Sequence, residues 1–195
     1  MLVKPYSPDR LWNADEYLAW ESQQEYKNEL IDNRVWIMCG ANARHNQISV
    51  NLMLALHPLV EEQGYELLGS RMCLEVERNS TFVYPDMTIV RGEPNMSCRF
   101  NQHTFDNPTH IIEIYSPSTE SIDRNRKREL YLQIPSVSAY YLVAQDKPLI
   151  EAHQRTGDEW LCESFAGLEA DLVIPALDCE IPLSEIYRRV SFAQA

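Results

Sequence analysis

Apolar residues recur every four positions from Ile48 through Leu52 to Leu56, with Val50 and Leu54 widening the stripe. That spacing predicts a helix over residues 42–62 with one buried face. Pro58 falls inside the span and is expected to kink or end it, because proline lacks the N–H that the preceding turn needs. Ahead of this helix, Tyr26-Lys-Asn-Glu-Leu-Ile31 and Arg34-Val-Trp-Ile-Met38 flank Asp32-Asn33. Such an Asx pair tolerates the left-handed backbone of a tight turn and predicts a hairpin. Residues 8–22 read as a short helix with Asn13 as its cap and Tyr17, Leu18 and Trp20 as its apolar positions.

Beyond the long helix the period shortens. Strands are expected at about 65–68, 72–76, 83–90 and 109–114, separated by polar loops that include Gly92-Glu-Pro-Asn-Met-Ser97. A second helix is expected over 119–132, opened by Ser116-Pro117-Ser118, since proline suits a first turn. Further strands at 139–143, 149–153 and 160–164 and a helical turn at 183–188 complete the pattern. The order describes a mixed α/β or α+β domain with helices against a central sheet. One domain over residues 1–195 is expected, since 195 residues with 45% apolar composition suffice for one full core.

The charge balance narrows the function. Seventeen Lys and Arg against 29 Asp and Glu give a net charge of −12, which excludes broad attraction to a polyanion. Any nucleic-acid contact needs a local patch or a metal. The five cysteines, Cys39, Cys73, Cys98, Cys162 and Cys179, are odd in number and show no C-x-x-C spacing, so reduced and mostly buried thiols are expected. No apolar run approaches the ~20 residues of a membrane span, and Met1-Leu-Val-Lys is no signal-peptide core. A cytoplasmic location without membrane contact is the expectation.

Two carboxylates stand inside apolar runs. Asp86 lies in Thr81-Phe-Val-Tyr-Pro-Asp-Met-Thr-Ile-Val90 and Glu113 in His110-Ile-Ile-Glu-Ile-Tyr115. An acid buried without a partner must take up a proton or bind a cation. Strand alternation puts Asp86, Thr88 and Val90 on one face and Ile111, Glu113 and Tyr115 on another, so adjacent strands would bring the two acids together. Paired hard oxygen ligands suit Mg²⁺ or Mn²⁺ in a phosphodiesterase; the plainer reading is two acids that end strands and face water. Lys127 follows Asp123 by four residues, which fits a surface i,i+4 ion pair as well as a lysine aimed at a metal-bound water. Glu29 lies in the first hairpin strand. His45, in the first turn of the long helix, shares a side with Ile48 and Leu52 and reads either as a bonded core histidine or as a ligand. Nucleophile elbows, phosphate-binding loops, dinucleotide fingerprints and H-E-x-x-H helices are absent.

Glu29-Leu-Ile-Asp32, the Arg44-His45 pair, Tyr84-Pro-Asp86, Ile112-Glu-Ile-Tyr-Ser-Pro-Ser-Thr119, Asp123-Arg124, Lys127 and Tyr131 together resemble the Uma-two family of restriction-endonuclease-like proteins, within the PD-(D/E)XK nuclease superfamily. The resemblance runs over residues 11–154. It implies a mixed central sheet flanked by helices, Asp86 and Glu113 as metal-binding acids with Glu29 in the same cluster, and cleavage of phosphodiester bonds, in DNA by preference. The superfamily's lysine two residues after the second acid is Tyr115 here, and Lys127 is the matching candidate from the next helix. His45 matches a recurrent histidine of undefined role. Arg124, Arg126, Lys127 and Arg128 are the expected local supply of positive charge. A homodimer is also expected, with Tyr140-Tyr-Leu-Val143 as the pairing strand. The rival reading is a degenerate nuclease fold that serves as a dimeric binding or scaffold protein.

Overall fold

A computed structural model describes residues 6–192 apart from Pro8, Cys39, Ala41, Arg78 and Asn79. Helix α1 (Ala14–Glu21) starts at Asn13, whose side chain accepts from Glu16 N–H while the Glu16 carboxylate accepts from Asn13 N–H. This reciprocal cap satisfies two N–H groups that the first turn leaves open. Strands β1 (Asn28–Ile31) and β2 (Arg34–Ile37) form the expected hairpin, and Asp32 and Asn33 both take positive φ, at 52° and 60°.

Helix α2 (Ala43–Glu62) does not end at Pro58; it runs one turn further. Leu52 and Leu56 before the proline and Val60 after it are all buried on one face, whereas Val50 and Leu54, expected to widen that stripe, are exposed on the other side; burying the continuous stripe outweighs the single backbone bond lost at Pro58.

The run read as one strand over 83–90 is two strands in different sheets. Strand β3 (Tyr65–Gly69) and strand β4 (Cys73–Glu77) precede β5 (Thr81–Val83), which joins a first six-stranded sheet in the order β2-β1-β5-β4-β8-β7. At the far edge of that sheet β7 (Met96–Arg99) and β8 (Gln102–Phe105) form a hairpin, and β7 begins inside the loop expected from Gly92 to Ser97. Tyr84-Pro85-Asp86 then carries the chain across to β6 (Met87–Arg91) in a second sheet. Pro85 cannot donate to a ladder, and Tyr84 N–H is taken by a side chain, so the ladder breaks there.

The second sheet has the order β12-β11-β10-β9-β6-β3, with β9 (His110–Tyr115), β10 (Ala139–Ala144), β11 (Leu149–Thr156) and β12 (Glu159–Ala166). Strands β9 and β10 are parallel while β6 and β9 are antiparallel, so the sheet is mixed. Strand β10 is buried at all six positions between β9 and β11. It therefore offers no edge, and the pairing of two copies expected through Tyr140–Val143 is excluded at that strand. A small β13 (Asp171–Ile174) and β14 (Cys179–Pro182) pair and the short α5 (Leu183–Ile186) follow.

The protein is thus a mixed α+β fold with two large sheets. One core sets Ile48, Leu52, Leu56 and Val60 of α2 against Met87, Ile89, Ile112, Ile114, Tyr141 and Val143. On the opposite face of the same sheet, Val90, Ile111, Tyr140 and Leu142 meet Leu74, Val83 and Phe105 of the first sheet, together with Leu130, Tyr131 and Ile134. Leu130 and Tyr131 come from a helical segment made of α3 (Glu120–Ile122), a π-helical turn (Asp123–Lys127) and α4 (Arg128–Leu132), and Ile134 lies just after it. Among the described cysteines, all unpaired, only Cys73 is fully buried, while Cys98 and Cys162 are exposed. "Mostly buried" was therefore the wrong expectation for them, and Cys39 lies outside the described residues. No described helix is long and apolar enough to cross a membrane.

Candidate functional site

The register of the second sheet puts Asp86 and Glu113 on one face. Met87 pairs with Ile112 and Thr88 with Ile111, so Asp86, just before β6, stands at the next rung toward Glu113. Asp86 Oδ2 accepts the N–H of Ile114 at 2.7 Å, and Oδ1 lies 3.0 Å from His45 Nε2. The first turn of α2 delivers that histidine; Asn42 caps the turn by accepting from His45 N–H. Burial works against a charged His45, yet its bond to Asp86 and the charges of Asp86 and Asp123 hold its pKa above the ordinary value.

Glu113 points to the side of α4. Its Oε1 accepts from Lys127 Nζ at 3.0 Å and from the Tyr131 hydroxyl at 2.8 Å. Glu29 arrives from β1, in the other sheet. Its Oε1 accepts from Lys127 Nζ at 2.9 Å and from Tyr84 N–H at 3.0 Å. Asp123 Oδ1 completes the surroundings of the ammonium at 3.7 Å. Glu29, Glu113, Asp123 and Lys127 are each 5% exposed or less, so the Asp123–Lys127 spacing is no surface ion pair.

The π turn is the local device that makes this possible. A π turn widens the helix to i→i+5 bonding, and such turns recur at functional sites. Here it spans Asp123 to Lys127 and directs both ends inward, while Arg124 and Arg126 between them face outward to Glu151 and Asp32. The sequence expectation that Arg124 and Arg126 supply free positive charge is therefore corrected. Arg124 is bonded to Glu120, Glu151 and the Tyr115 hydroxyl, and Arg126 to Asp32 and Glu129. Tyr115, where the superfamily's lysine would stand, is buried under the Arg124 guanidinium.

Charge is not balanced in this pocket. One ammonium serves three carboxylates. Burial pushes Glu113 well up against the pull of Lys127, and pushes Asp123 up to about 6. Burial also opposes the Lys127 charge, but Glu113, Glu29 and Asp123 hold its pKa well above the ordinary value. Hard oxygen donors short of positive charge fit a divalent cation in kind. They do not form a ready cage: among the described residues no three acid, histidine or cysteine side chains stand close enough together to hold an ion.

The structure thus gathers Glu29, Glu113 and Lys127 into one bonded cluster and sets Asp86 and His45 beside it. Sequence reading gave no site role to Tyr131 or to the inward face of Asp123. The spacing of Asp123, Lys127 and Tyr131, four residues apart, is the signal that joins them.

A family described as "Putative restriction endonuclease", Uma2, matches residues 14–184. An uncharacterized protein of Synechocystis, sll1609, is 31% identical over 164 residues, covering 84% of this chain and 92% of its own length. A second from the same organism, slr1290, is 25% identical over 189 residues, covering 96% and 97%. Among solved structures, a protein of Anabaena variabilis described as a putative nuclease belonging to DUF820 superposes with a TM-score of 0.70 at 14% identity, covering 90% of this chain and 97% of that one. The fold, the ordered motifs and the span of the match agree, and the chain belongs to the Uma2 restriction-endonuclease-like family.

Proposed function

We propose that this protein is a Mg²⁺- or Mn²⁺-dependent endonuclease that hydrolyses phosphodiester bonds in DNA. The observation that carries this reading is the ammonium of Lys127 gripped by Glu29 and Glu113, beside Asp86 on the next rung of the sheet. Asp86 and Glu113 would hold the ion with help from Glu29, and a bound ion would polarise the scissile phosphate and acidify the attacking water. Ile114 N–H and His45 orient the Asp86 carboxylate, and Tyr131 orients that of Glu113. With its pKa raised, Lys127 stays protonated; it acts as a donor to the water and to the charge that builds on the phosphate, not as the base. Asp86 and His45, at 14% and 20% side-chain exposure, mark the open side, where substrate enters.

Net acidity and the engagement of Arg124 and Arg126 imply weak contact with DNA in the absence of the ion. One observation favours the rival reading of a catalytically degenerate binding or scaffold protein. The acids are already satisfied from within, by Lys127, Tyr131, His45 and backbone N–H groups. Pairing of two copies, excluded at β10, is assigned under this proposal to α2, whose outer face exposes Val50, Met53 and Leu54.

The test is cleavage of supercoiled and single-stranded DNA with Mg²⁺, Mn²⁺ or EDTA, using wild type, Asp86→Ala and Lys127→Gln. Cutting that needs the ion and is lost in both folded variants supports the nuclease. A folded wild type that cuts under no metal transfers the assignment to the binding protein.

A further inference from the structure

Behind Glu29 lies a second buried carboxylate that the proposed chemistry does not use. Glu21, the last residue of α1, is 5% exposed. No Lys or Arg among the described residues forms an ion pair with it. Both oxygens are nonetheless occupied. Oε1 accepts from Asn28 N–H at 2.9 Å and from the Tyr84 hydroxyl at 3.2 Å, and Oε2 accepts from Asn28 Nδ2 at 3.0 Å.

The partners are informative because of what stands next to them. Asn28 immediately precedes Glu29 on β1. Tyr84 donates its N–H to Glu29 Oε1 and stands two residues before Asp86. Glu21 therefore grips the chain on both sides of the Glu29 carboxylate: the residue before it and the residue whose amide holds it. Other bonds stiffen the same pair. Tyr17 donates its hydroxyl to Asn28 C=O at 2.6 Å, and Gln102 donates Nε2 to the Tyr84 hydroxyl at 2.8 Å. Placing a carboxylate in a core among neutral donors costs stability that an apolar residue would not, so packing alone is a poor account of it.

We propose that Glu21 is a positioning residue that acts through Tyr84 and Asn28 to fix the Glu29 carboxylate and the approach of Asp86. The reading rests on the nuclease assignment for its catalytic consequence but not for its structural one, and the two are tested separately. Misplacing a reacting group by about 1 Å costs on the order of a hundredfold in rate. Tyr84→Phe and Glu21→Gln are therefore expected to lower kcat tenfold to a hundredfold with KM changed less than threefold.

The second readout needs no activity. Hydrogen exchange of the Tyr84 amide, the donor to Glu29, is expected to speed up at least tenfold in both variants. Amides of β9 such as Ile112 should keep their wild-type rates. A uniform rise across the core would mean lost stability alone and overturn the proposal, as would an unchanged Tyr84 amide. Selective exchange with unchanged kcat and KM in an active protein would also overturn it. If wild type cuts nothing but the Tyr84 amide responds selectively, the positioning network stands and the nuclease reading fails.

Discussion

Glu29 and Lys127 are separated by 98 residues of sequence, yet their charged groups meet at 2.9 Å in a pocket where neither side chain is more than 6% exposed. One belongs to a strand of the first sheet and the other to a π turn packed on the second, so this contact ties the two sheets together at the site. Removing one partner of a buried pair leaves an uncompensated charge, which costs about 3–5 kcal/mol.

Lys127→Ala should accordingly lose about 3–5 kcal/mol in urea unfolding, because three carboxylates would then face each other without a cation. Adding Glu29→Gln removes one of those charges and should restore part of the loss without restoring cleavage. A single variant as stable as wild type would mean that the ammonium is not bound as described.

Much of this was legible before any coordinates. The Asp32-Asn33 turn, the α2 stripe and the two acids in apolar runs carry local signals of turn chemistry, period and burial. The division of the chain at Pro85 between two sheets was not legible, since strand propensity on either side of Tyr84-Pro-Asp86 is high and which sheet a strand joins is settled by distant partners. The hairpin at Met96 to Phe105 escaped for the opposite reason: its exposed edge carries no alternation to read. Spacing put Asp123 and Lys127 on one helix face but could not say that the face is buried.

Acid should weaken the fold through His110. This imidazole is 1% exposed, stacked on the Tyr141 ring and edge-on to Tyr65, with only the Thr109 and Ser138 hydroxyls for hydrogen-bond partners among the described residues, and burial pushes its pKa down from 6.5 to about 4. The folded state prefers neutral His110, so the unfolded chain takes up the proton first. The stabilisation is complete above pH 6.5 and is lost as pH falls toward 4. At about 1.4 kcal/mol per pH unit this amounts to about 3 kcal/mol. Unfolding free energies of wild type and His110→Asn between pH 7 and 4 should converge by that amount; parallel curves would contradict it.

Pro58 sits in α2 with its ring on the exposed side and cannot donate to the carbonyl one turn back. Helix-interior proline costs about 3 kcal/mol, partly offset by the stiffer unfolded chain. Pro58→Ala should thus stabilise the protein by about 2 kcal/mol, seen as a rise in Tm of about 4–8 °C. No rise would indicate that the neighbouring turn has already relaxed around the proline.

The outer face of α2 sets the last expectation. Val50, Met53 and Leu54 are 44%, 40% and 62% exposed, and between Arg44 and Glu61 the helix carries no Asp, Glu, Lys or Arg. Two copies of a chain of net charge −12 repel each other least where the surface carries no acids, as along this stretch. Arg44 and Glu62 lie about five turns apart, hence on one flank, and in an antiparallel two-fold pairing each falls beside the other's counterpart in the second copy. Among the described residues neither has an ion-pair partner within its own chain. Sedimentation equilibrium should therefore show a dimer that Leu54→Asp weakens at least tenfold. Arg44→Glu should weaken it severalfold, and adding Glu62→Arg should recover it, because the swap restores opposite charges across the two-fold. A monomeric wild type, or a dimer indifferent to Leu54→Asp, would remove α2 as the pairing surface.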